Sequence, residues 1–357
     1  MSTTTKPRLH HFDMLKGVAI FLVVMGHVIT MCIREVDSTP LFKFIERIHM
    51  PLFFFVSGWF TYKLSAEGRI VLPPLGQRAL RLLLPMVVTS SLWIWYFPHS
   101  GLQSPITATF SALWADSFKN GYWFTLVLFE LIVIYIPVAM LLQRCRSALA
   151  SVFVVAAAWA ILLVLYAYVV PANISNYISL NCIVQFFPIY LFGVLARRYR
   201  DGFNNLVHNT WTATVAIPVF MVAMYMLSWP WEFGLQGIPV LLVYAVLYIS
   251  LCLIVYPLFE AWGNRAFSPD AAPVTNRIAR IWEYLGTQSL GIYLLHYFFL
   301  FPMGDLIRPT LVSLNLSLVP MTLVAAFTAA CIILVVLFVI KVISLSRLWG
   351  IVLIGNK

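Results

Sequence analysis

The chain has 357 residues, 62% of them hydrophobic and only 10% charged, with a mean hydropathy of +0.91 and a net charge of +10. These values exclude an ordinary water-soluble domain and place the chain among polytopic membrane proteins. Five cysteines, Cys32, Cys145, Cys182, Cys252 and Cys331, stand singly without a C-x-x-C pair, which points to small apolar packing residues and to neither a metal site nor a disulfide framework.

In chain order, Lys6 and Arg8 precede an apolar run that is too long for a cleaved signal peptide and lacks its small-residue site, so a retained first helix is expected. After Lys16 no charge occurs until Arg34, and residues 12–32 are long enough at ~1.5 Å per residue to cross a hydrocarbon core. Nine further runs bounded by charge, Pro and Gly follow near 48–64, 79–98, 121–142, 149–170, 182–197, 211–229, 237–257, 282–302 and 318–343. The predicted fold is an all-α bundle of about ten transmembrane helices. With the N-terminus in the cytoplasm, only Arg34, Lys43, Arg47, Lys119 and Arg308 of the 23 Lys and Arg residues fall on the outer side. This asymmetry predicts that both termini are cytoplasmic, and it makes the net charge a report of topology and not of a nucleic-acid partner. The longest loop, about 258–281, contains Pro, Ser and basic residues and reads as an inner linker, so residues 1–357 are expected to form one domain embedded in the lipid bilayer.

Ionisable side chains inside such runs need a reason. His27 lies eleven residues after Lys16, about 16 Å along a helix, which places the cation at one membrane face and the imidazole beyond the midplane. A neutral imidazole there can take a proton from a hydroxyl, whereas the bland alternative is a histidine that only packs helices. Lys16 sits in the first turn, where the helix dipole disfavours a cation, so it expects an anionic partner: a ligand, or Asp13 three residues back, itself read as an N-cap. His49 opens the second run, with Met50 and Pro51 in its first turn, and shares the outer half with His27 unless it faces headgroups. Ser57 and Gly58 form a small pair near the midplane, suited to close helix packing. Arg78 and Arg81 mark the inner end of the third run. Tyr122 and Trp123 stand at the outer start of the fourth, where aromatic belts occur and a sugar can stack. Glu130 follows near mid-depth, where a carboxylate needs a polar partner such as a histidine or a sugar hydroxyl, or else stays protonated between helices. Ser289, Tyr293 and His296 fall at i, i+4 and i+7 on one helix face, so histidines from the first, second and ninth runs are expected to meet in the outer half.

Four stretches taken together carry a resemblance: FDMLKGVAIFLVVMGH at 12–27, FIERIHMPLFFFVSGWF at 44–60, YWFTL at 122–126 and LGTQSLGIYLLH at 285–296. In this order they resemble the acyltransferase-3 family of integral-membrane acyltransferases, and HMPLFFFVSG looks most like its fucose 4-O-acetylase-related branch. The resemblance implies a ten-helix enzyme of the bacterial cytoplasmic membrane that moves an acyl group, usually acetyl from acetyl-CoA, to a carbohydrate hydroxyl. It strengthens His27 as general base, and the positions of Glu130 and His49 in their runs make them further catalytic candidates. Lys16, Arg78 and Arg81 are then expected to meet the phosphates of CoA, while Trp123, Tyr293, His296 and Ser57 face the acceptor. Acyl-CoA and the carbohydrate are substrates, and neither a permanently bound cofactor nor a metal is expected. The family's Arg-x10-His reads here as Lys16-x10-His27, which keeps the charge and loses the bidentate fork. A different class competes: a proton-coupled transporter or flippase with His27 and Glu130 as a relay, although no internal repeat is visible.

Overall fold

Backbone N–H and C=O groups in hydrocarbon must be satisfied within their own segment, and each apolar run accordingly folds as helix. The computed structural model describes residues 9–33, 39–97, 110–230, 233–304, 306 and 318–356; Lys6, Arg8, Arg34, Arg308 and Lys357 of the charge count lie outside them. The first helices are α1 (His10–His27, continued as a π turn through Val28–Ile33), α2 (Pro40–Thr61), α3 (Leu75–Tyr96), α4 (Phe110–Ala115) and α5 (Trp123–Arg144). Then come α6 (Ala148–Val164), α7 (Ala172–Tyr177), α8 (Leu180–Arg198), α9 (Arg200–Val207) and α10 (Thr210–Ser228). The chain closes with α11 (Ile238–Ala266), α12 (Pro273–Thr287), α13 (Ser289–Leu295, followed by a 3-10 turn at His296–Phe299), α14 (Leu318–Ile343) and α15 (Arg347–Ile354). Among the described residues the only strand-like pairing is an isolated bridge between Leu64 and Ile70. Helices α1, α3, α5, α6, α8, α10, α11 and α14, with their π-turn extensions where present, are long and apolar enough to cross a membrane.

Each of the ten expected runs is helical over most of its described residues, and the two outside that set are the informative ones. Helix α2 begins at Pro40, well before its apolar run, with the Thr39 side chain accepting from Phe42 N–H at 3.3 Å and Pro40 at the first position. His49 and Pro51 therefore sit mid-helix, not in a first turn. The charged segment stays helical because Arg47, only 9% exposed, donates to the Leu227 carbonyl at 2.6 Å and to Ser228 Oγ at 3.0 Å at the end of α10. The ninth run is divided between α12, α13 and the 3-10 turn, so His296 leaves the α-helical register of Ser289 and Tyr293. The expected 258–281 linker shrinks to 267–272, because α11 extends to Ala266 and α12 starts at Pro273. Asp13 is not an N-cap: α1 starts three residues earlier, and the Asp13 carboxylate pairs with Lys16 Nζ at 2.8 Å. Cys32, Cys182 and Cys252 are buried as expected of packing residues, while Cys331 is exposed on α14.

Helix α1 runs through the core, packed against α2, α11 and α12. Two glycine crossings set its neighbourhood. Gly17 meets the Trp282 carbonyl of α12, and Gly286 of α12 meets the Asp13 carbonyl of α1. Likewise Gly58 of α2 meets the Tyr190 carbonyl of α8, and Gly193 of α8 meets the Phe55 carbonyl of α2. Without side chains at these points the backbones approach closely, which is how apolar helices associate where no hydrophobic force separates lipid from protein. His10 Nδ1 and Glu283 Oε1, 2.8 Å apart, join the same α1–α12 pair near its end.

Candidate active site

At the end of the bundle that carries Lys16, a cavity of about 230 Å³ opens between α1, α2, α3, α5 and α13. Its polar lining is Lys16, Arg78, Arg81, Ser57, Thr61, Ser289 and Tyr293; Ile20, Met50, Phe53, Leu82, Phe124 and Leu128 supply apolar wall. Three of the residues expected to bind an anionic donor thus share one space, with Ser57 and Tyr293 farther along it. Arg78 and Arg81 reach it together because they lie one helical turn apart on α3. Lys16 serves both of its expected partners: it lines the cavity and stays paired with Asp13.

The second cluster gathers around His27, the last α-helical residue of α1. The change to π geometry at Val28 widens the helix at that residue, a device frequent at functional sites. His27 Nε2 and the Tyr297 hydroxyl lie 2.9 Å apart, and their ring centroids are 4.8 Å apart. The His296 ring is 5.2 Å from that of His27 and 4.2 Å from that of Tyr297. Its Nδ1–H donates to the carbonyls of Ile292 (3.0 Å) and Tyr293 (2.9 Å), which fixes the proton on Nδ1 and leaves Nε2 a bare lone pair. That Nε2 is buried with no hydrogen-bond partner among the described residues. His49 is held the same way, Nδ1–H to the Ile45 carbonyl at 2.5 Å, within electrostatic reach of His27. Of the three expected histidines, His27 and His296 meet and His49 stands within electrostatic reach of His27, while Tyr293, which lines the cavity and precedes His296, joins the two clusters.

Tyr297 has no signal in the sequence beyond its place after His296. The 3-10 turn brings it round to His27, and its ring packs between Tyr122 (5.1 Å) and Trp93 (5.7 Å). Glu130 and Trp123 are not brought to this centre. Glu130 Oε2 is buried without a hydrogen-bond partner among the described residues, and the cation within its electrostatic reach is Lys119. Trp123 stacks on Phe186 at 5.3 Å, and Phe186 in turn on Tyr248 at 5.4 Å, so one face of the indole is already occupied by protein. Among the described residues no group of three His, Cys, Asp or Glu side chains is arranged to hold a metal.

In the tautomer that directs Nε2–H at the Tyr297 oxygen, Nδ1 of a neutral His27 can accept a proton. Tyr297 thereby holds the orientation of the His27 ring.

Comparison with known proteins agrees with the four motifs. The family model described as an acyltransferase domain, that of acyltransferase family 3, matches residues 9–340. A nodulation protein NolL of Sinorhizobium fredii is 39% identical over 89 residues, which cover 23% of this chain and 23% of that protein. A nodulation protein NolL of Mesorhizobium japonicum is 33% identical over 123 residues, 32% of this chain and 31% of that protein. The matched stretches thus span less than a third of these relatives' own length. No solved structure matches the chain. The family match runs over nearly the whole chain and over the helices that build both clusters: the chain belongs to the acyltransferase-3 family of multi-pass membrane proteins.

Proposed function

We propose that the chain is a membrane O-acyltransferase that takes an acetyl group from cytoplasmic acetyl-CoA and delivers it to a hydroxyl of a saccharide, in a bacterial inner membrane with both termini inside. The observation that carries this reading is the cavity with Lys16, Arg78 and Arg81 on its wall and Tyr293, next to the histidine cluster, farther along. Its volume of about 230 Å³ falls below the roughly 300–1,000 Å³ of ordinary ligand pockets, which suits a narrow chain such as pantetheine and leaves the nucleotide outside among the cations. Family membership supports acyl transfer in general terms, and the saccharide acceptor comes from the resemblance of the motifs.

In the reaction His27 Nδ1 takes the proton of the acceptor hydroxyl as its oxygen attacks the thioester carbonyl carbon. The tetrahedral intermediate collapses, the carbon–sulfur bond breaks, and the imidazolium returns the proton to the CoA sulfur. Tyr297 keeps the ring in register throughout by accepting from Nε2–H.

Purified protein in detergent tests this directly, with acetyl-CoA binding and free CoA read in the same samples beside a saccharide extract. Wild type should release CoA, and His27→Ala should bind the thioester while losing about 10²- to 10⁴-fold in turnover. If neither protein binds acetyl-CoA, the acyltransferase reading fails and transport of a saccharide-like substrate replaces it.

A further inference from the structure

The 3-10 turn Lys119–Gly121 that leads into α5 holds three consecutive residues in the left-handed region: Lys119 at φ +48°, Asn120 at +52° and Gly121 at +93°. Two of them are not glycine, and such a backbone persists only where the surroundings over-determine it. Lys119 supplies that constraint. Its side chain is completely buried, and its ammonium donates to the carbonyls of Trp114 (3.1 Å), Asp116 (2.5 Å) and Asn176 (2.6 Å). These three bonds use every N–H that a lysine has. Around them the Asp116 carboxylate accepts from the N–H groups of Phe118 and Asn120, and Ser179 Oγ donates to the Ser117 carbonyl. Burial holds this ammonium below the ordinary lysine range, against the pull of Asp116 and Glu130. A cation counted from sequence as an outer topology marker is thus the internal staple of a turn.

The other end of the turn touches the histidine cluster. The Gly121 carbonyl accepts from the Tyr293 hydroxyl at 2.6 Å, and the Phe124 N–H donates to the same hydroxyl at 3.1 Å. Gly121 itself lies so close to the Tyr297 hydroxyl that any side chain there would collide with it. That hydroxyl is the group paired with His27 Nε2. We propose that Lys119 is a positioning residue for His27: by fixing the Lys119–Gly121 turn it holds Gly121 against Tyr297 and so sets the His27–Tyr297 hydrogen bond. The role of His27 in this statement rests on the acyltransferase reading; the positioning itself does not.

Three readouts on purified protein separate the two: acetyl-CoA affinity, CoA release, and carbethoxylation of His27 by diethyl pyrocarbonate followed by peptide mass spectrometry. Lys119→Met should keep acetyl-CoA affinity within about twofold and lower kcat about 10- to 100-fold, the cost of a small misplacement of a reacting group. It should also change the His27 carbethoxylation rate in the same direction as Tyr297→Phe, and the double variant should be no slower than Tyr297→Phe alone. Wild-type kcat and wild-type His27 reactivity in Lys119→Met would overturn the proposal, and so would losses that multiply in the double variant. Should Lys119→Met fail to fold, Gly121→Ala leaves the ammonium staple intact and should give the same low kcat and altered reactivity; wild-type values there would equally overturn it. If wild type itself releases no CoA, the acyltransferase reading falls, and the carbethoxylation comparison still decides the positioning.

Discussion

Replacing Gly17 with alanine would put a methyl group into the α1–α12 crossing, where it would overlap the Trp282 carbonyl oxygen and stand 2.8 Å from the carbonyl carbon and 3.2 Å from Gly286 N. Ordinary contact begins at 3.4 Å, so moving the carbon from 2.8 Å to 3.4 Å alone demands about 0.6 Å of separation. The obstacles are backbone atoms, and no side-chain rotation relieves them. Helix α1 ends at His27, and α12 leads through α13 to Tyr297, so the same separation acts on the 2.9 Å His27–Tyr297 pair. Stretched by about 0.6 Å it reaches roughly 3.5 Å, the limit of a useful hydrogen bond. Overpacking costs about 1–3 kcal/mol of stability, and displacement of a catalytic group by ~1 Å costs on the order of 100-fold in rate. Gly17→Ala should therefore lower the melting temperature, followed as loss of the monodisperse peak on heating, and reduce CoA release about 10- to 100-fold. Gly76→Ala is the control, since a Cβ there meets nothing within 4 Å. A Gly17→Ala protein that melts and turns over like wild type would refute the claim that this crossing sets the site.

Three further outcomes follow from the same geometry. Alanine at Lys16, Arg78 or Arg81 should weaken acetyl-CoA binding, with each arginine worth about 10- to 100-fold and Lys16 less because Asp13 already shares its charge. S-acetyl-pantetheine, which has no nucleotide phosphates, should bind all three variants like wild type, and equal losses for both donors would move these cations away from the phosphates. Tyr297→Phe removes the hydrogen bond that orients the His27 ring, so kcat should fall about 10- to 100-fold, the cost of a small misplacement of a reacting group, while acetyl-CoA affinity, measured on the same sample, stays unchanged. Arg47→Met deletes the bonds to Ser228 and Leu227 and should cost about 1–3 kcal/mol in thermal stability with turnover per folded molecule unaltered; lost turnover in a stably folded variant would give Arg47 a role in the site.

The sequence alone determined the membrane class, the helical runs and the spacing of Lys16 from His27. Each of these is a property of one segment: transfer free energy sums along a run, and eleven residues of helix have one length. For the same reason Arg78 and Arg81 were readable as a pair at one membrane face. The meeting of His27 with His296 was legible from depth alone, since depth follows from position along each helix. Rotation about the helix axis and contacts between segments were not. Arg47 and Lys119 read as topology markers until their carbonyl partners on other segments came into view, and Trp123 read as an open platform until Phe186 covered it. Tyr297 had no local pattern, because a break from α to 3-10 geometry aims it at His27 across a helix pair held together at Gly17 and Gly286. Only the tertiary structure decided which polar groups meet, because a glycine crossing fixes the rotation and separation of two helices by which atoms are missing, and missing atoms leave no periodic trace in a chain.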